Sequence, residues 1–119
     1  MKVTVEYSTM IIENMEESVA FYQDILGFEV VSVHELGPAG RITLMRGQGG
    51  AMVELIESTN YEIGLYSVGM DVDNLAETLE QVRSKGAKVT MEPMKTSVGS
   101  MAFIEDPNGV RIALIEHDK

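Results

Sequence analysis

The chain has 119 residues, 45% hydrophobic and 24% charged, with nine basic against nineteen acidic side chains and a formal net charge of −10. That length supports one domain with a real core, no stretch approaches the roughly 20 apolar residues of a membrane helix, and the acidic balance argues against nucleic acid, whose phosphates need a basic face. Without cysteine there is no disulfide, thiolate nucleophile or cysteine metal site, and the start MKVTVEYSTM lacks the basic and apolar regions of a secretory signal, so a cytoplasmic protein is expected.

Val3 to Ile12 reads as an opening strand, followed by a helix capped by Asn14 with Glu17 three residues on. Met15, Val19 and Tyr22 form one apolar helical face. The helix stops at Gly27, where a left-handed C-cap is least strained. A strand over Phe28 to Val33 comes next, with His34 near Gly37-Pro38 read as a solvated or rim histidine. Ile42 to Glu57 reads as strand, tight turn at Gly47 to Gly50, strand. The glycine-rich turn leads into a strand and not a helix, so it is a hairpin and not a phosphate cradle.

The second half repeats this order. A strand over Gly64 to Val72 precedes a helix capped by Asn74 with Glu77, whose face is Leu75, Leu79 and Val82, and which stops at Gly86. Ala87 to Met91 is a strand, and Met101 to Glu116 is a further hairpin about Asp106-Pro-Asn-Gly109. The tail Glu116-His-Asp-Lys119, with His117, is expected to fray. The helix caps lie 60 residues apart, whereas the terminating glycines and the hairpins lie 59 apart. Each half is therefore one βαβββ unit, about 1–58 and 62–119, within a single domain over 1–119, and the second helix or its exit is one residue shorter. Tyr61 and Tyr66 sit between the units, in a crossover or at a dimer contact.

Phe21-Tyr-Gln-Asp-Ile-Leu-Gly-Phe-Glu-Val-Val and Phe103-Ile-Glu-Asp-Pro-Asn-Gly-Val-Arg-Ile-Ala-Leu-Ile-Glu resemble the vicinal oxygen chelate superfamily of glyoxalase I, extradiol dioxygenases and bleomycin-resistance proteins. The resemblance covers the whole chain. It implies an α+β fold in which two βαβββ units form one curled eight-stranded mixed sheet, with helices on the convex face. It also implies a homodimer whose cupped sheets enclose clefts. Function does not follow from it, because the scaffold hosts isomerases, dioxygenases, epimerases and pure binding proteins.

Metal-dependent members of this family place four inward ligands on the first and last strands of the two units. On this sequence those positions fall at Tyr7, Glu54, Ser67 and Ala113, and the repeat relates Tyr7 to Ser67 and Glu54 to Ala113. Only Glu54 is a good ligand for Zn, Ni, Mn or Fe(II), and a catalytic ion of this kind typically needs three protein ligands. This departure from the family's ligand pattern disfavours a catalytic metal here, and glyoxalase I chemistry is disfavoured further because Ala113 replaces its carboxylate base.

Strand alternation puts Val5, Tyr7, Thr9, Met52, Glu54 and Ile56 on the concave face, with Leu65, Ser67, Gly69, Arg111, Ala113 and Ile115 from the second unit. The opposite parity gives Met10, Ile12, Val53, Leu55, Val68, Met70, Ile112 and Leu114, uniformly apolar as a helix-covered face should be. Tyr7, Thr9, Met52, Glu54, Ser67, Arg111 and Ala113 are the candidate ligand-binding set, a mostly apolar floor with a few polar groups. Glu54 and Tyr7 are the candidates for catalysis. The competing reading pairs Glu54 with Arg111 and has Tyr7 donate to Glu54, closing the groove. Of nine methionines, Met10, Met15, Met45, Met70 and Met101 are assigned to core filling, while Met52, Met91 and Met94 could also soften a cleft wall.

The functional expectation is a protein binding a small cationic or aromatic molecule, with no nucleic-acid or membrane partner and no cofactor. Only seven aromatic residues are available to stack on such a ligand. The alternatives are a divergent lactoylglutathione-lyase-like lyase or isomerase, or a dioxygenase-like enzyme, using Glu54 or Tyr7, a metal enzyme with substitute ligands, and a non-catalytic structural module.

Overall fold

The computed structural model describes residues 1–119. Its elements are β1 (Val3–Ile12), α1 (Met15–Ala20), β2 (Glu29–Glu35), β3 (Arg41–Arg46), β4 (Met52–Glu57), β5 (Gly64–Val72), α2 (Leu75–Ser84), β6 (Lys88–Lys95), β7 (Gly99–Glu105) and β8 (Arg111–His117). The eight strands form one mixed sheet in the order β2-β3-β4-β1-β5-β8-β7-β6. The fold is α+β, as expected. By contact the chain divides into two compact units, Tyr7–Tyr66 and Met1–Glu6 with Ser67–Lys119.

In the Tyr7–Tyr66 unit, β1 runs parallel to β4, and β2, β3 and β4 are successively antiparallel. Asn14 Oδ1 accepts the Glu17 N–H at 3.0 Å and starts α1. The helix lays Met15 against Met45 and Leu55, with Met10, Ile12, Val19, Tyr22 and Phe28 around them. Leu55 and Met45 are fully buried. The turn between β3 and β4 closes through Gly47 N–H to Ala51 O at 2.8 Å, which is the expected hairpin.

Helix α1 ends differently from the expected regular helix. After Ala20 the chain widens into a π-helical turn over Phe21–Ile25. Leu26 N–H reaches Phe21 O at 3.3 Å, and Phe28 N–H reaches back six residues to Tyr22 O at 2.8 Å. At the corresponding place in α2, Ala87 N–H reaches back only five residues, to Val82 O at 2.9 Å. The extra residue of the first half is thus absorbed as one wide turn, the usual structural result of a single insertion in a helix. Both exits then use glycine at positive φ, +75° at Gly27 and +97° at Gly86.

In the other unit β5 runs parallel to β8, and β6, β7 and β8 are successively antiparallel. Asn74 Oδ1 accepts the Glu77 N–H at 3.0 Å. Leu75, Leu79, Val72, Ala102 and Leu114 form the core, joined by Met70, Val82, Val89 and Ile112. The apolar parity set predicted to lie under the helices is therefore largely the set that packs there. Met10, Met15, Met45 and Met70 all sit in these clusters. The pairing of β6 with β7 slips twice, between Val89 and Met91 and between Met91 and Met94, the second slip spanning Pro93.

A close backbone approach occurs at the same place in both halves. Gly40 and Gly99, 59 residues apart, have φ of +113° and +156°, and a Cβ on either would lie 2.0 Å from a carbonyl oxygen, that of Glu57 or Glu116 respectively. Only glycine admits this crossing.

Candidate functional site

The parallel register of β1 and β4 sets Tyr7 opposite Met52 and Thr9 opposite Glu54. Because Met10, Ile12, Val53 and Leu55 pack under the helix, alternation turns Tyr7, Thr9, Met52 and Glu54 to the other face. The Thr9 hydroxyl donates to Glu54 Oε1 at 2.9 Å. Thr9 is only 3% exposed, whereas Tyr7, Met52 and Glu54 are partly buried. Met52 sits beside Arg46, its register partner on β3, with Nη2 4.0 Å from the thioether sulfur. This face thus offers a carboxylate, a phenol, a hydroxyl and a polarisable thioether within two adjacent strands.

In the other unit Ser67 and Ala113 are buried, and Gly69 stands opposite Ala113 in the parallel register of β5 and β8. Arg111 is exposed at the start of β8, opposite Glu105 on β7. Tyr61 and Tyr66 form an edge-to-face pair with ring centroids 5.1 Å apart. His34 is exposed on β2.

The resemblance assigns the family's metal-ligand positions to Tyr7, Glu54, Ser67 and Ala113, and their chemistry tests whether they suit a divalent ion. Glu54 supplies a competent oxygen, but the Ala113 side chain has no donor atom, and the neutral hydroxyls of Ser67 and Tyr7 are weak ligands for Zn, Ni or Mn. The set does not fit such an ion.

Two polar clusters escaped the sequence reading. The first is built on Arg41 at the start of β3. Its Nε and Nη2 donate to the Glu57 carboxylate at 3.0 and 2.9 Å, and its Nη1 and Nη2 donate to Glu16 at 2.9 and 3.2 Å. The Arg41 guanidinium holds both carboxyls below the usual glutamate range, and for Glu57 the Met15 N–H adds to the effect. Arg41 is raised in turn, through its bonds to Glu57 and then Glu16. A groove of about 390 Å³ adjoins this cluster, lined in part by Glu13, Pro38, Gly40, Glu57, Tyr61 and Ile63. The repeated glutamates at 57 and 116 were visible in the sequence; their helix-capping role depended on where α1 and α2 begin.

The second cluster corrects the expectation of a frayed tail at His117. That residue is the last of β8, in register with Gly99, and Asp118 N–H beyond it donates to Val98 O at 2.8 Å. With its backbone held on both sides, the imidazole is fixed: Nδ1 lies 2.7 Å from Asp71 Oδ1 and Nε2 lies 3.8 Å from Glu6 Oε1. No local signal links Glu6, Asp71 and His117, which come from three strands.

A family model described as the Glyoxalase/Bleomycin resistance protein/Dioxygenase superfamily matches residues 4–114, and the chain belongs to that superfamily. It is 33% identical over 115 residues to the lactoylglutathione lyase of Salmonella typhimurium, covering 87% of this chain and 84% of that protein. Among solved structures, a hypothetical protein from Bacillus halodurans C-125 superposes with a TM-score of 0.86 at 16% identity, over 100% of this chain and 97% of the other. Methylmalonyl-CoA epimerase from Mycobacterium tuberculosis gives 0.83 at 19% identity, over 98% and 89%. These structural likenesses establish the fold.

Proposed function

We propose that this chain binds a small cationic or aromatic molecule on the helix-free face of β1 and β4, anchored by Glu54 and without a catalytic metal at the family's ligand positions. The observation that carries the reading is the Thr9–Glu54 bond of 2.9 Å, which orients a partly buried carboxylate from a buried hydroxyl. A fixed carboxylate on a largely apolar floor recognises a cation by charge and a planar ring by the apolar surface beside it. Tyr7 and Met52 lie beside it on the same face, and Ser67, Arg111 and Ala113 are further candidate ligand residues carried by the other unit. A homodimer belongs to this reading and is checked by the mass in solution against 13.1 kDa for one chain.

The test is thermal unfolding with a panel of small organic cations and aromatic compounds. A binder present at a hundredfold excess over its dissociation constant stabilises the native state by about 2.7 kcal/mol. Glu54→Gln should abolish the shift while leaving the unliganded melting temperature close to wild type. A panel without any shift, or a shift unchanged in Glu54→Gln, counts against the reading.

The 33% identity to a lactoylglutathione lyase favours one second reading, an enzyme of that kind using Glu54 as its base. Formation of S-lactoylglutathione by the purified chain, lost in Glu54→Gln, would replace the binding reading with the enzymatic one.

A further inference from the structure

We propose that Glu6, Asp71 and His117 form a binding site for a divalent transition-metal ion, with His117 Nε2 and the Glu6 carboxylate as ligands and Asp71 holding the imidazole through Nδ1. The site shares no residue with the proposed ligand face around Glu54.

The geometry carries the proposal. One ligand atom from each of the three side chains lies within 4.8 Å of the other two. Two donors bound to one zinc-like ion at about 2.1 Å each stand roughly 3–4 Å apart. His117 Nε2 and Glu6 Oε1 are 3.8 Å apart, within that span. The 2.7 Å contact from His117 Nδ1 to Asp71 is the carboxylate–histidine arrangement that fixes ring orientation beside a metal and leaves Nε2 as the ligand atom. Both ring nitrogens thus have distinct tasks.

Glu6 supplies an independent observation. Its Oε2 is buried and has no hydrogen-bond partner. A buried carboxylate oxygen without a partner is costly, by more than a neutral group would be. An ion held by both Glu6 oxygens and by His117 Nε2 would relieve it. Charge points the same way: two carboxylates face one imidazole, so even a protonated ring leaves the cluster negative. The mixed nitrogen and oxygen donor set favours zinc, cobalt, nickel or manganese over calcium or magnesium. Water would complete the coordination, since the protein offers two direct ligands.

The experiment is calorimetric titration of the chelator-treated full chain with zinc chloride, repeated with cobalt chloride. One saturable site per chain is expected. His117→Gln and Glu6→Gln should each weaken it at least tenfold, and Asp71→Asn by about 10–100-fold, the usual effect of losing an outer-shell partner. His34→Gln, which removes the exposed histidine on β2, should bind as wild type. Circular dichroism checks each variant's folding. In wild-type protein, the His117 ring resonances should move on zinc addition while those of His34 stay, a readout that needs no variant. Absence of saturable binding, binding lost in His34→Gln but kept in His117→Gln, or His34 resonances moving in place of His117 would each overturn the proposal. None of these outcomes bears on Glu54.

Discussion

Glu57 receives the backbone N–H of Met15 at 2.8 Å, and 59 residues later Glu116 receives that of Leu75 at 2.7 Å. The last glutamate of each βαβββ unit thus reaches the first residue of that unit's helix. The first N–H groups of a helix have no partner within it, and they carry partial positive charge. In both halves one of these donors goes to the glutamate and another to the capping asparagine. This latch joins the last strand of a unit to its own helix by charge as well as by core packing. The two latches differ in one respect: Glu57 is also gripped by Arg41, whereas Glu116 stands opposite Ser100.

That difference predicts an acid-sensitive half. Arg41 lowers the Glu57 and Glu16 carboxyls in the folded state, so the unfolded chain takes up their protons first as pH falls. The stabilisation is present in full above the ordinary glutamate value of 4.5 and disappears as pH drops through the lowered folded values. Melting temperature measured against pH should therefore fall more steeply below that point in wild type than in Arg41→Met. Parallel acid limbs in the two proteins would show that Arg41 does not set them.

Gly40→Ala and Gly99→Ala should each destabilise by on the order of 2–4 kcal/mol, because the new methyl meets a backbone oxygen that cannot move aside. Gly37→Ala is the contrast. Its φ is also positive, at +60°, but nothing lies within 4 Å of the added Cβ. A cost nearer 1 kcal/mol is expected there. Urea unfolding of the three variants separates backbone collision from left-handed strain; equal losses would mean that strain alone matters.

The π-helical turn in α1 makes an unusual deletion tolerable. Removing exposed Asp24 leaves Tyr22 and Phe28 with the spacing of Val82 and Ala87, which already folds in the second half. The deletion variant should remain cooperative and lie within about 1 kcal/mol of wild type, because the wide turn becomes a regular one. Loss of the unfolding transition would show that the turn itself is required.

Thr9→Val should cost about 1–2 kcal/mol, since it deletes the hydroxyl donor to Glu54 at a buried position. Thr9→Ser keeps the donor and should recover most of that, less a small packing loss. Chemical denaturation reads both, and a valine variant as stable as wild type would remove the bond from any structural account.

Much of this architecture is legible in the sequence. The opening strands over Val3–Ile12 and Gly64–Val72 match the observed β1 and β5, because each is bounded by residues with strong local preferences. The asparagine caps and the glycines at 27 and 86 are local signals too, and local signals survive folding. The one-residue offset between the halves was visible, but not its form, since a π-turn depends on helix packing. His117 was misread because a charged tail gives no sign that a strand extends into it. Period-two alternation, which assigns Glu54 to the face away from the helix, is readable along the strand, whereas the Thr9 bond depends on the parallel register of β1 and β4 and is not. What sequence could not supply were meetings of side chains from distant strands: Arg41 with Glu16 and Glu57, or Glu6 with Asp71 and His117.

The two slips in β6 also govern how one molecule avoids templating on another. β6 ends the strand order, and an end strand presents unpaired N–H and C=O groups to any extended chain nearby. Pro93 removes one donor, the slips beside it break the even spacing that an incoming ladder would need, and Lys88 and Lys95 place charge at both ends of the strand. An arriving strand could pair over only two or three residues before losing step, too short a run to seed a cross-β stack.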